Sequence, residues 1–226
     1  HTLLSVAISE KKFQATSNAE CLAHAEVVVL AVGPAVLNDK IESASFLMAV
    51  DEIAQRALPK TLVIIASTLP VGMMQMILPR LNHLKVAYAF ERITPGGNML
   101  NSASERKKII AAKDVESYEA ARLFFKVNES VLVSFEEAEM TKLLENSYRA
   151  TNIALIQEWT LLAESMGVNL FSVVDSIRLR TGTHDNIRSP GAGIGGPCLL
   201  KDSMLSILNS HHIDLPFLKL ALATSE

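Results

Sequence analysis

The sequence predicts an α/β fold: a parallel-sheet domain over residues 1–135, then one long helix and an all-helical domain over 136–226. Three observations predict it. Short, continuous apolar runs alternate with helix-period segments as far as Ser134. From residue 136 to 166 the chain contains neither Gly nor Pro. Beyond that, a Gly-rich loop at 181–197 separates shorter helical segments. Strand and helix in alternation are the mark of a parallel sheet covered on both faces.

The elements follow in order. "VVVLAV" (27–32) is a β-branched apolar run, expected as a strand buried on both faces. Residues 40–58 place Ile41, Ala44, Leu47, Met48, Ile53 and Ala57 at helical spacing and stop before Pro59. "TLVIIAS" (61–67) is a second strand, and "PVGMMQMILPRL" a helix with Pro70 in its first turn. "KVAYAF" (85–90) and "KKIIAA" (107–112) are further strands, 114–126 is a helix, and "SVLVS" (130–134) is the last strand. Then Met140, Leu143, Leu144, Tyr148, Ile153, Leu155, Ile156, Trp159 and Leu162 recur at helix spacing up to Gly167. That is one helix of roughly 30 residues, about 45 Å long. Another helix is expected from Leu170 to Arg178, and one more from about Lys201.

Composition narrows the function. A net charge of −3 without a basic tail argues against nucleic acid as the main partner. The apolar runs are far shorter than a membrane span, and no signal peptide is legible, so the expected location is cytoplasmic. Cys21 and Cys198 make no disulfide framework, and no metal-ligand set is assigned. The chain opens on His1 rather than Met and ends at Glu226 inside a helical pattern, which reads as an excerpt of a longer protein.

Four stretches carry chemistry. In "GAGIGGPCLLKD" (191–202) small residues before Cys198 allow a sharp turn and close approach to a ligand. A helix beginning just after it, together with Lys201, would favour the reactive thiolate, and Asp202 would take or orient a proton. The alternative is a small buried hydrophobe in a glycine loop. Lys142 and Asn146, four apart, share a helix face and suit an oxyanion; the alternative is a solvated pair. In "ASTLPVG" (66–72), Ser67 and Thr68 close a strand where parallel sheets bind ligands, or else cap the next helix. In "AFERITPGG" (89–97), Glu91 follows a strand and precedes a Pro-Gly turn; it is a base or a surface residue.

In this order the four stretches resemble the nucleotide-sugar 6-dehydrogenases, the family that acts on UDP-glucose, GDP-mannose and UDP-N-acetylmannosamine, over nearly the whole chain, 13–226. Gly195-Gly196-Pro197-Cys198-Leu199-Leu200-Lys201-Asp202 matches the nucleophile motif, Lys142 and Asn146 the central-helix pair, and Thr68 and Glu91 the two other active-site positions. The resemblance implies a truncated Rossmann-like domain, NAD as cofactor, a UDP- or GDP-sugar substrate, and a homodimer built through the central helical domain. It implies oxidation of the C6 alcohol to an acid through a thiohemiacetal and a thioester on Cys198. Lys142 and Asn146 would stabilise the oxyanion, and Asp202 and a water on Thr68 would move protons, with Glu91 activating the hydrolytic water. Val32, Gly33, Ser67, Thr68 and Lys201 fall on the cofactor side. Glu91, Arg92, Lys142, Asn146, Gly195 and Cys198 fall on the substrate side.

There are departures. The Gly-rich strand–turn–helix with which members begin is absent from the start of this chain, as is the acidic residue for the ribose. So is the family's C-terminal nucleotide-binding domain, and Val32-Gly33-Pro34-Ala35 stands where a Thr-Pro is usual. "DNIRSPGAGIGGPC" resembles the N-acetylhexosamine branch, whereas Lys201 resembles the glucose and GDP-mannose enzymes. Two rivals remain. One is a single-step hydroxyacid dehydrogenase of the 6-phosphogluconate dehydrogenase type, which needs no Cys. The other is an inactive dimerisation remnant.

Overall fold

The computed structural model describes residues 2–92, 107–127 and 129–224. An N-terminal helix α1 (Thr2–Ser9) and a 3-10 turn (Ala19–His24) precede β1 (Val27–Leu30). A small antiparallel hairpin follows, β2 (Ala35–Leu37) and β3 (Lys40–Glu42), leading to α2 (Ala44–Arg56). Then come β4 (Leu62–Ile65), α3 (Met73–Ile77), β5 (Lys85–Tyr88), β6 (Lys108–Ala112), α4 (Val115–Phe125) and β7 (Ser130–Val133). The remainder is helical: α5 (Phe135–Ser165), α6 (Leu170–Arg178), α7 (Pro197–Leu208) and α8 (Pro216–Ala223).

Five strands form one sheet in the order β1-β4-β5-β6-β7. β4 shows why its sequence is an unbroken apolar run. All four of its residues are buried, Val63 and Ile65 into the large core with Phe46, Val50, Met74 and Tyr88, and Leu62 and Ile64 into the opposite layer with Ala87, Ile110 and Ala121. β1 departs from expectation. Among the described residues it pairs with β4 alone, and Val29 is 47% exposed rather than buried.

The sheet also departs from a strictly parallel one. β4 runs parallel to β1 and β5, and β6 parallel to β7, but β6 is antiparallel to β5. A parallel neighbour requires a crossover, usually a helix. β6, which runs against β5, needs none. The Pro-Gly turn expected at Pro95-Gly96 lies outside the described residues.

Helix boundaries shift in instructive ways. The segment 40–58 loses its first turn to the β2–β3 hairpin, whose turn residues Asn38 and Asp39 adopt positive φ, as Asn and Asp do at least cost. α3 begins at Met73, not at Pro70, because Gly72 at φ 91 is its N-cap. α7 begins at Pro197 rather than near Lys201: Gly196 at φ 79 turns the chain and Pro197 opens the helix.

The long helix is 31 residues. A capping box starts it: Ser134 Oγ accepts from Glu137 N–H at 3.1 Å and Glu137 Oε2 accepts from Ser134 N–H at 2.7 Å. Its first turns pack Phe135 and Ala138 under the sheet, its middle packs Ala150 and Ala154 on Ile194, Leu199 and Ala221, and its end packs Ile156 and Ala163 on Leu170 and Val174. One helix thus belongs to both halves of the molecule and fixes the sheet relative to α7. Among the described residues, no helix is long and apolar enough to cross a membrane.

Candidate active site

The site forms where the carboxyl ends of β1 and β4 meet α5 and α7. These two strands are parallel neighbours, so their exit loops, 31–34 and 66–72, lie side by side. A Cβ on Gly33 would sit 2.8 Å from Ser67 Cβ, closer than real contacts allow, so the two loops touch backbone to side chain. Ser67 Oγ donates to Leu30 O at 3.4 Å, and Lys201 Nζ reaches from α7 to Pro34 O at 3.5 Å. Val32 stands exposed beside them. The five residues expected on the cofactor side are therefore gathered around two adjacent strand ends.

Asp202 is the hub of the next group. It is 1% exposed and accepts at Oδ2 from Asn146 Nδ2 at 2.6 Å and from Thr68 Oγ1 at 3.4 Å. Lys201 Nζ lies 3.3 Å from Oδ1. Asn146 is itself buried, which removes the reading of a solvated Lys–Asn pair. Thr68 does not cap α3, whose N-cap is Gly72.

A second group is built on Glu91. Its carboxylate accepts from Lys108 Nζ and from Arg92 N–H, each at 2.9 Å, and its carbonyl accepts from Lys142 Nζ at 3.0 Å. Lys108 is nearly buried and lies 4.7 Å from the Phe125 ring centroid, a cation held against an aromatic face. Arg92 pairs with Glu145 at 3.1 Å, and its guanidinium carbon is 5.3 Å from the Phe90 ring. Glu91 is therefore tethered from β6 and α5, not a free surface carboxylate. Lys142 and Asn146 join the two groups along one face of α5.

Cys198 is exposed in the first turn of α7, so it is not a small buried hydrophobe. It precedes Asp202 by four residues, one turn along the same helix. Gly195, just before the helix, has nothing within 4 Å of the place a Cβ would take, so the approach to Cys198 is open there. The spacing G-x-G-x-x-G does occur once, at 191–196, but it leads from an irregular segment into α7 and follows no strand.

Sequence reasoning passed over two residues. Glu139 is 0% exposed; its Oε2 accepts from Gly72 N–H and its Oε1 from Met74 N–H, both at 2.7 Å. Burial pushes its pKa up to about 7, against the opposing effect of the two amide bonds. Asn209 Oδ1, at the end of α7, accepts from Val71 N–H at 2.9 Å. The signal for Glu139 was present: it lies three residues before Lys142 and seven before Asn146, on the same helical face. Asn209 carried none, because its partner is 138 residues away.

Neighbouring strand-end loops of a parallel pair are where open α/β folds hold their ligands. The chain belongs to the UDP-glucose/GDP-mannose dehydrogenase family: residues 1–128 match the model of its NAD binding domain and residues 136–226 that of its central domain. It is 31% identical to the UDP-N-acetyl-D-mannosamine dehydrogenase of Pyrococcus horikoshii, over 92% of this chain and 52% of that protein. It is 33% identical to the enzyme of the same name from Methanocaldococcus jannaschii, over 68% of this chain and 37% of that protein. The solved structure of UDP-D-ManNAc dehydrogenase from Pyrococcus horikoshii superposes with a TM-score of 0.86 at 27% identity, covering 98% of this chain and 55% of that one. The chain thus spans about half the length of the Pyrococcus relative.

The family's cofactor is NAD. Gly33 and Ser67 lie against each other at the ends of β1 and β4, with Val32 exposed and Lys201 reaching Pro34 O beside them. A glycine cradle following a strand is not among the described residues.

Proposed function

We propose that this chain carries the reactive centre of a nucleotide-sugar 6-dehydrogenase, with the C6 hydroxyl of a UDP-N-acetylhexosamine, UDP-N-acetylmannosamine first, as the group oxidised. One observation carries the reading: an exposed Cys198 in the first turn of α7, one turn before a buried Asp202 that holds both Asn146 and Thr68. The relatives' names point to the sugar.

NAD, when bound, accepts the hydride in each of the two oxidations. The chain's own residues do the rest. Asp202, or a water held on Thr68, takes the proton of the sugar alcohol as it becomes an aldehyde. The sulfur of Cys198 adds to the aldehyde carbon, and the oxygen of the thiohemiacetal carries developing negative charge. Lys142 and Asn146 donate to that oxygen; each has hydrogens to spare beyond those given to Glu91 and Asp202. Loss of the second hydride leaves a thioester. Glu91, held by Lys108, activates the water that cleaves it, releasing the acid and restoring the thiol. Arg92 and Gly195 border the sugar, and Val32, Gly33, Ser67 and Lys201 border the cofactor.

The division near residue 135, with α5 opening the second unit, is part of this reading. So is a homodimer through α5, whose Met140, Leu144, Tyr148, Leu155 and Leu162 are all exposed large apolar residues. Sedimentation at micromolar concentration tests the dimer; a monomer at every concentration refutes it.

The function is tested by NADH formation with a panel of UDP- and GDP-sugars, counted per acid produced. Two NADH per acid are expected, and none of the acid from Cys198→Ala. One NADH per product, unaffected by Cys198→Ala, would establish the single-step hydroxyacid chemistry instead. Absence of both sugar turnover and NAD binding would leave the dimerisation remnant.

A further inference from the structure

Glu139 is an expensive residue for its place. Its side chain is wholly buried, and among the described residues no basic side chain offsets its charge. A buried carboxylate without a cation is unfavourable unless its oxygens are fully hydrogen-bonded. A residue needed only to fill space between α5 and α3 would be cheaper as Leu or Met. What a carboxylate alone supplies is two acceptor oxygens side by side. Gln offers one, and turns an N–H toward the other amide. The two oxygens here meet two backbone N–H groups, Gly72 and Met74, at the turn into α3.

That turn is the far end of the loop that carries Thr68. Three of its amides are held by side chains from the helical half: Gly72 and Met74 by Glu139, and Val71 by Asn209. At its near end Thr68 itself meets Asp202. Glu139, Lys142 and Asn146 share one face of α5, within about 10 Å along its axis. The same rigid element therefore sets the height of the loop and the height of the two donors.

We infer that Glu139 is a positioning residue: its carboxylate seats the Thr68–Met74 loop on α5 and so holds Thr68 in register with Asp202, Asn146 and Lys142. The inference rests on the reading of those four as reactive-site residues. It differs from that reading in what it predicts for a residue that touches neither cofactor nor sugar.

The test is run at pH 8, where the Glu139 carboxyl is ionised, on Glu139→Gln in this chain, with Glu136→Gln, the same change one turn earlier on α5, as control. Two signals are followed by NMR: amide exchange at Val71, Gly72 and Met74, and the side-chain amide resonance of Asn146. In Glu139→Gln exchange at Gly72 and Met74 rises by about tenfold or more, and the Asn146 resonance shifts because its Asp202 partner moves with Thr68. Glu136→Gln changes neither. Unchanged exchange at Gly72 and Met74 overturns the seat. Faster exchange with an unmoved Asn146 resonance overturns the coupling to the site. If Glu139→Gln does not fold, Glu139→Asp, which keeps the charge but falls one methylene short of both amides, is read by the same two signals. NADH formation by the parent is measured alongside: a silent parent counts against the dehydrogenase reading, while the two NMR signals still decide the role of Glu139. In an active parent, Glu139→Gln lowers kcat by about tenfold with KM little changed; a change confined to KM overturns the assignment.

Discussion

Asn146 Nδ2 donates to Asp202 Oδ2 at 2.6 Å, and both side chains are buried. The bond joins residues 56 apart, one on the long helix and one on the cysteine helix. The carboxylate that orients Thr68 therefore also pins α7 to α5. Asp202→Ala strips Asn146 and Thr68 of their acceptor at once, leaving a buried amide without a partner. The expected cost is roughly 2–4 kcal/mol in urea unfolding. Asp202→Asn keeps an acceptor for Asn146 and should lose less than half as much. Equal losses would mean that the charge beside Lys201, not the hydrogen bond, holds the helices together.

Glu139 gives stability a pH dependence of definite sign. Its pKa is raised from the ordinary 4.5 to about 7 by burial first, with the charge of Glu136 adding to it; Tyr88 on β5 is coupled to it electrostatically. Between these two values the folded chain holds a proton that the unfolded chain has released. This contribution is complete below about pH 4.5 and is lost as pH rises through 7, after which it is flat. The expected loss between pH 5 and 8 is roughly 2–3 kcal/mol in urea unfolding. Glu139→Gln should flatten that step. A parent whose stability rises steadily over the same range would contradict the assignment.

The start of α5 rests on the capping box of Ser134 and Glu137. Ser134→Ala removes the acceptor of the Glu137 amide and should cost about 1 kcal/mol, read as a lower unfolding midpoint. Glu137→Ala removes the reciprocal bond to Ser134 N–H, and the double variant should cost less than the sum of the two single changes. Full additivity of the double variant would show that the two bonds form separately.

The fold was legible where one face or one layer determined the sequence. β4, buried on both sides, was an unbroken apolar run, and α5 was a Gly- and Pro-free stretch whose ends the structure places within a residue of expectation. What was not legible depends on neighbours distant in the chain. β1 has the composition of a strand flanked on both sides but pairs with β4 alone among the described residues, and nothing in the letters of β6 sets its direction against β5. Thr68, Asn146 and Asp202 do meet, and Lys142, one turn from Asn146, reaches Glu91 instead; helix spacing had placed Lys142 by Asn146 and Asp202 by Cys198 in advance. Glu139 and Asn209 were missed because each serves backbone amides, and an amide leaves no letter in the sequence.

The contact of Gly33 with Ser67 offers a test of how tightly the cofactor-side loops are packed. Gly33 is not in the left-handed region, so Ala carries no backbone strain there; the obstacle is its Cβ, which would meet Ser67 Cβ at 2.8 Å and Ser67 Oγ at 3.3 Å. Thr68 O, at 3.5 Å, is in ordinary contact. Gly33→Ala should therefore destabilise by about 1–3 kcal/mol, the usual cost of overpacking, and weaken NAD binding as the two loops part. Ser67→Gly removes the obstructing atoms and on its own should cost little beyond backbone freedom. In the double variant the new methyl group takes the space that the Ser67 side chain vacates, so most of the Gly33→Ala loss should disappear. The double-mutant cycle then yields a coupling of about 1 kcal/mol or more, favouring the pair of changes. If the two losses simply add, the Gly33→Ala loss does not arise from the Ser67 side chain, and their contact is not what packs the two loops together.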